Sequence, residues 1–339
     1  MNLTTYDYID SNRRKTFWLI FLFPTSFLLL LFVMMYIFIN SSPEMQIKDI
    51  PVIVQIFKYY WGFFVFAILL AIVWIIVSYY QGSQIVLNMV DAEKAGSTNL
   101  MYKDIQRILE NVSITAGIPV PELYILTMES GLNAFAVGTN KNNSAVVLTQ
   151  GLIDVLDSSE LEAVIAHEVA HIVHQDTRLM MCVTLLIGFF TFFGSFILGG
   201  RRSSFNGRNT SRVNAGTKAA GRTAGILMVL GLAMYIYGYF FAPFIKLAIS
   251  RTREFEADAK SALLTRNPQA LISALKKISN RPVVSRFEDN EIMSPMCIVS
   301  PLTIKISFFD TLANLSSTHP PLKDRIKALE VMDGKIAEK

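Results

Sequence analysis

Four stretches of this chain carry no charged side chain and are built mostly from Leu, Ile, Val, Phe and Met: Thr16–Ile39, Tyr59–Tyr79, Leu179–Gly200 and Thr223–Ile245. Each is long enough to cross roughly 30 Å of hydrocarbon as a helix. Trp18, Tyr36, Tyr59, Tyr60, Trp61, Tyr79 and Tyr80 lie near the ends of the first two, as interface aromatics do. The first stretch is too long for a signal-peptide h-region and has no small-x-small exit, so a cleaved leader is not expected. Between the second and third stretches the pattern changes. Thr98 to Ala116 has helical spacing and stops at Gly117, whereas Leu123–Leu126, Asn133–Val137 (ending at Gly138) and Ala145–Leu148 read as short strands. Asp157 to Glu162 reads as a helix start, with Ser159 and Glu162 at capping-box spacing and Leu161, Val164 and Ile165 as the apolar stripe that follows. The pattern predicts a mainly α membrane protein of α+β type: four transmembrane helices and a domain containing a small β-sheet.

Composition agrees, since 52% hydrophobic residues and a mean hydropathy of +0.40 exceed what an ordinary soluble domain carries. Arg13, Arg14 and Lys15 ahead of the first span argue for a cytoplasmic N-terminus, which returns Gln81–Arg178 to the cytoplasm after two crossings. The tip between the third and fourth spans, Arg201 to Arg222, holds six basic residues (Arg201, Arg202, Arg208, Arg212, Lys218 and Arg222) and no acid. A full crossing would put that charge outside, against the usual rule. The hairpin dips without crossing, or the first two spans outvote the tip, or the tip seeks an anionic surface; a crossing hairpin is favoured. Acids outnumber bases between Gln81 and Arg178, so nucleic acid is not an expected partner there. Cys182 and Cys297 suggest neither a disulfide framework nor a thiolate zinc site. The expected organisation is a two-span N-terminal region at 1–80, a first part of the central domain at 81–178, a hairpin at 179–248 and a second part at 249–339.

The chemistry is concentrated in His167-Glu168-Val169-Ala170-His171, which fits H-E-x-x-H. On a helix, His167 and His171 are one turn apart and project from one face, so both imidazoles can grip one metal. Glu168 lies about 100° round the helix, beside the metal rather than on it, where it can take a proton from a bound water. Two core histidines would leave an unpartnered carboxylate in an apolar run, which is expensive. A catalytic zinc needs a third protein ligand. In Arg253-Glu254-Phe255-Glu256-Ala257-Asp258, Glu254 and Asp258 share a helix face; Glu254 can ligate, and Asp258 can accept the N–H of a zinc-bound imidazole. Read alone, this segment is a solvated charged helix. The rival ligand is His174, but three bonds from one straight helix wall would struggle to close a tetrahedron. His174 is therefore expected beside the ligands or at the edge of the site.

These segments together resemble the HtpX-type integral-membrane zinc metalloproteases, relatives of the CAAX prenyl proteases. H-E-V-A-H is followed, after a hydrophobic hairpin, by Glu254-Phe255-Glu256-Ala257-Asp258; Asn133-Ala134-Phe135-Ala136-Val137-Gly138 is similar to the family's N-A-F-A-x-G strand; and Thr318-His319-Pro320-Pro321 through Arg325-Ile326 is similar to its late T-H-P-P…R-I segment. The likeness extends over nearly the whole chain. It implies a gluzincin-like catalytic domain, one zinc per chain on His167, His171 and Glu254, and Glu168 as the base. Asn133, with Ala134 and Phe135, would lie on the substrate-facing edge strand. An edge of that kind can take up an extended peptide as an added strand, although core packing is the plainer reading of those strands from pattern alone. The family further implies endopeptidase activity on misfolded or damaged membrane proteins at the cytoplasmic face of a bacterial inner membrane, in quality control and stress response. The partners are then polypeptides and the bilayer. One departure is His174-Gln175-Asp176, where relatives often carry Asn-Gly-Asp.

His319 is the candidate second donor to the developing oxyanion, against the alternative of a loop histidine ahead of a proline-started helix. Arg325 is placed to hold either Asp258 or a substrate carbonyl. Two other functions fit parts of the pattern: a processing protease for lipid-linked peptides, and a catalytically inactive zinc-binding scaffold. Glu168 argues against the scaffold, because a structural zinc site needs four protein ligands and no base. The uncharged spans contain no Asp or Glu, which argues against ion transport.

Overall fold

A computed structural model describes residues 5–41, 46–47, 50–96, 100–205, 225, 227–238, 252–281, 298 and 320–337. The chain divides into two units: Met1–Thr16, Ser78–Leu185 and Phe244–Lys339 form one, and Phe17–Val77 with Leu186–Pro243 form the other. The helices are α1 (Thr5–Ser41), α2 (Val52–Tyr59), α3 (Trp61–Met89), α4 (Leu100–Ala116), α5 (Gln150–Val155), α6 (Ser158–Val173) and α7 (Asp176–Phe205), then α8 (Leu227–Gly238), α9 (Thr252–Thr265), α10 (Pro268–Ile278) and α11 (Leu322–Ala337). The strands are β1 (Glu93–Lys94), β2 (Glu122–Leu126), β3 (Ala134–Asn140) and β4 (Asn143–Thr149).

In the first unit the strands form one mixed sheet in the order β1-β2-β4-β3, with β2 parallel to β4 and β3 antiparallel to it. The period-2 alternation sends side chains to two different cores. Leu123, Ile125, Ala134, Ala136, Val146 and Leu148 pack with α4, α6, α9 and α10. Tyr124, Leu126, Phe135, Val137, Ala145 and Val147 pack with Val86, Leu87 and Val90 of α3 and Met180, Met181 and Leu185 of α7. Both faces are covered, which is why the strands read as unbroken apolar runs.

β3 continues past Gly138, where the sequence pattern ended it. Its register shifts between Gly138 and Asn140, and a Cβ at Gly138 would meet the Asn143 carbonyl at 2.8 Å. This glycine marks a bulge with close backbone approach, not a strand end. α4 does stop at Gly117, whose φ of +70° suits a residue without Cβ.

α6 lies at the centre of this unit, packed by α4, α9, α10 and β3. Its cap lies two residues before the predicted one. Asp157 accepts the Ser159 and Glu160 amides (both 2.9 Å), and Glu160 accepts the Asp157 amide (2.9 Å), so the capping box is Asp157/Glu160 rather than Ser159/Glu162. Glu160 is chosen because it also accepts from Ser273 and Lys277 of α10, each at 2.6 Å, which fixes α6 to α10.

In the second unit, Met35, Ile39, Ile56 and Val229 form a small core. Phe27 packs against Phe190 and Tyr237, and a Cβ at Gly194 would fall 2.6 Å from the Tyr235 amide nitrogen, so α7 and α8 meet at backbone distance there. Among the described residues, two helices are long and apolar enough to cross a membrane: Trp61–Met89, whose most apolar window is 6% buried, and Asp176–Ile197, at 57%. The first and fourth uncharged stretches contribute shorter apolar helical segments, Thr25–Ser41 and Leu227–Gly238. Most of the basic tip, from Asn206 to Arg222, lies outside the described residues.

Candidate active site

Thirteen of the sixteen residues of α6 are buried, His167, Glu168 and His171 among them. The i, i+4 spacing brings the two imidazole Nε2 atoms to 3.2 Å from each other. α9 supplies the opposing wall. Its Ser261 donates to the Ala163 carbonyl of α6 (2.6 Å), which sets the two helices in register. That register places Glu254 between the histidines, its oxygens 3.9 Å from His167 Nε2 and 3.7 Å from His171 Nε2.

Each histidine turns its other nitrogen to a carboxylate. His167 Nδ1 lies 3.0 Å from Asp258, and His171 Nδ1 lies 3.0 Å from Asp176. A carboxylate there holds the proton on Nδ1 and leaves Nε2 as a lone pair. Two lone pairs 3.2 Å apart with a carboxylate beside them repel one another unless a cation lies between them. Tetrahedral zinc with bonds of about 2.0–2.1 Å puts its ligand atoms roughly 3.3 Å apart, so the spacings of His167, His171 and Glu254 fit. Those three form the one group of metal-capable side chains found among the described residues.

Each of the two aspartates is in turn held by a buried arginine. Arg325 donates to both oxygens of Asp258 through Nε and Nη2, each at 2.7 Å, and its Nη1 lies 3.4 Å from Glu254. Of the two places open to Arg325, it takes Asp258. Arg253 donates to Asp176 at 3.1 Å. Burial alone would lower the pKa of His171, but Asp176, Glu254 and Glu168 outweigh it and raise it to about 9: the cavity favours positive charge. Burial also raises Glu168 to about 7, while His171, Arg325 and the Ala136 backbone N–H pull the other way. Ala136 is on β3, so the edge strand reaches the candidate base directly.

His174 is not grouped with the ligands. It caps the C-terminus of α6, its amide donating to Ala170 (3.0 Å), and its buried ring is held neutral, with a pKa lowered to about 4, mainly by burial. Gln175 follows with φ of +59°, a left-handed turn that glycine occupies without strain and that delivers Asp176 to His171.

β3 is an edge strand of the sheet, and Asn133 immediately precedes it. Asn133 is fully buried; its carbonyl accepts from the Thr149 amide, and its Oδ1 accepts the Ala134 amide. The Ala134 carbonyl accepts the Ile298 amide at 3.0 Å, while the Ile298 carbonyl accepts from Arg325 at 2.8 Å. Phe135 is buried in the core on the sheet face away from α6. His319 lies outside the described residues.

Sequence reasoning missed the roles of Asp176, Arg253, Ala136 and Ile298. Asp176 had one available signal, a carboxylate one short turn beyond the second histidine. The others carry none, because their partners are distant in the chain or are backbone groups.

The model of Peptidase family M48 matches residues 99–333, a span that contains every site residue named above. Over 330 residues the chain is 33% identical to a protein of Dictyoglomus turgidum named protease HtpX homolog, with 97% of this chain and 95% of that protein covered. Proteins of the same name from Bacteroides fragilis and Streptococcus pneumoniae are each 32% identical, over 94% and 96% of this chain and 96% and 99% of theirs. Among solved structures, S. mikatae Ste24p aligns at 20% identity with a TM-score of 0.41, covering 88% of this chain and 62% of that one. With a family model over most of its length and relatives above 30% identity across nearly all of it, the chain belongs to peptidase family M48 and is a metalloprotease.

Proposed function

We propose that this protein is a membrane-embedded zinc endopeptidase that cleaves misfolded or damaged membrane proteins at the cytoplasmic face, as part of quality control under stress. The observation that carries the chemical part is the convergence of His167, His171 and Glu254 with Glu168 beside them at the edge of a sheet. Zinc on those three residues would supply Lewis acidity, polarising a peptide carbonyl and acidifying water. Glu168, poised near neutrality by burial, takes the proton from the attacking water and returns it to the leaving amine. β3 is the edge strand; its Ala134 carbonyl is taken by the Ile298 amide, so an extended polypeptide would pair with the outward backbone groups that follow. The four-span layout rests on the two long apolar helices and the two shorter apolar segments. The cytoplasmic placement rests on Arg13, Arg14 and Lys15, and the role in quality control rests on the resemblance to HtpX-type proteases.

The test uses full-length protein in detergent, wild type against Glu168→Gln, with casein and an unfolded membrane protein as substrates and zinc measured in both. The variant is expected to keep about one zinc per chain and to lose activity by about 10²–10⁴-fold. If both proteins hold zinc and neither cuts, the endopeptidase reading fails. A prenylated peptide assayed beside its unmodified form then separates a lipid-linked processing enzyme from an inactive scaffold.

A further inference from the structure

We infer that Asp176, backed by Arg253, is a positioning residue of the metal centre: it orients His171 and ties that ligand to Glu254. The inference rests on the zinc reading above and concerns the half of the site that sequence reasoning left without a partner. Asp176 is fully buried and uses its two oxygens differently. Oδ2 faces His171 Nδ1 at 3.0 Å, and Oδ1 accepts from Arg253 Nη1 at 3.1 Å. Arg253 is the residue immediately before Glu254, so one carboxylate spans from a ligand on α6 to the backbone neighbour of a ligand on α9. Rotation of the His171 ring and sliding of Glu254 along α9 are thus opposed by the same side chain.

The arrangement repeats, with different parts, what Asp258 and Arg325 do for His167. The turn also bears on the assignment. Gln175 adopts a left-handed φ of +59°, a conformation unfavourable for a residue with a Cβ, and the product of that turn is the placement of Asp176. Outer partners of this kind typically govern metal affinity by 10–100-fold.

The experiment is zinc competition against a chromophoric chelator on detergent-purified full-length protein, together with visible spectra of the cobalt(II)-substituted form. Asp176→Asn, close in shape, is expected to weaken zinc binding by about 10–100-fold and to shift the cobalt ligand-field bands, because the Nδ1 proton loses its acceptor charge. Asp176→Glu should recover part of both. Arg253→Gln should weaken zinc less, and in the double variant it should add little to Asp176→Asn, because both act through one contact. Should Asp176→Asn fail to fold, Arg253→Gln decides alone: wild-type zinc affinity with an unshifted cobalt spectrum overturns the inference. So does an Asp176→Asn protein that holds zinc as the wild type does while His171→Ala loses it. If His171→Ala and the wild type bind zinc equally, the ligand assignment itself has failed, which is a different result.

Discussion

Around the two histidines of α6 the interior carries charge: Asp176, Asp258, Glu254, Arg253 and Arg325 are each at most 3% exposed. In the other unit the exterior is apolar: Phe66, Leu69, Val73 and Ile76 of α3 are 51–59% exposed, in a stretch with no charge. The two units thus invert each other. In the first, desolvated charges persist because every one meets an opposite charge or a ligand partner. In the second, large apolar side chains lie outside, which suits a surrounding medium that is itself apolar, the situation of the membrane-spanning helix proposed above. One rule covers both: a group is stable where its partner, whether a counter-charge or a hydrocarbon, is already in place.

The contrast breaks most visibly at Arg325. Arg325→Met leaves Asp258 and Glu254 buried without their guanidinium and should cost about 3–5 kcal/mol, read as a lowered urea midpoint. A loss under about 1 kcal/mol would mean that the network does not hold the core. On the exposed apolar side, if α3 spans the membrane as proposed, Leu69→Arg should cost about 2.5–3.5 kcal/mol of membrane insertion, seen as protein lost from the carbonate-resistant membrane fraction. Unchanged extraction would remove α3 from the set of spans.

A smaller effect is expected where the polar interior meets water. Burial pushes the Glu160 carboxyl up, but Lys277, Ser273 and the Asp157 amide outweigh it and hold its pKa below the ordinary 4.5. With the folded value depressed, its contribution is whole above 4.5 and drains away as pH falls through the folded value. Glu160→Gln should therefore cost about 1 kcal/mol at pH 7, and its melting temperature should converge on that of the wild type as the medium is acidified. Parallel curves would refute the linkage. The smallest change is a gain. Gln175→Gly removes left-handed strain but adds unfolded-state entropy, for a net stabilisation of about 0.5 kcal/mol, detectable as a small rise in melting temperature.

Legibility followed the distance over which each contact acts. His167, Glu168 and His171 could be read because four residues on a helix are one turn in space. Strands β2, β3 and β4 could be read because their apolar runs are bounded by polar turns. The capping box was misplaced by two residues, since both Asp157 and Ser159 satisfy the local pattern and only Lys277 and Ser273, more than a hundred positions away, select Glu160. Arg325 stood undecided between Asp258 and a substrate carbonyl until the packing of α11 on α9 placed it. The Arg253–Asp176 contact spans 77 positions and has no periodic trace. The Ile298 amide on Ala134 is a backbone bond, to which side-chain identity is blind.

The buried charges around the two histidines also have a sum. Glu168, Glu254, Asp176 and Asp258 are four carboxylates; Arg253 and Arg325 are two guanidiniums; all six are at most 3% exposed. With every acid ionised and both imidazoles neutral, as metal ligation requires, the cluster stands two negative charges from neutrality. A divalent ion removes that excess, whereas a monovalent ion would leave a bare charge in a medium that solvates it poorly. Charge balance thus favours a divalent ion, beside the ligand atoms that give the ion its geometry.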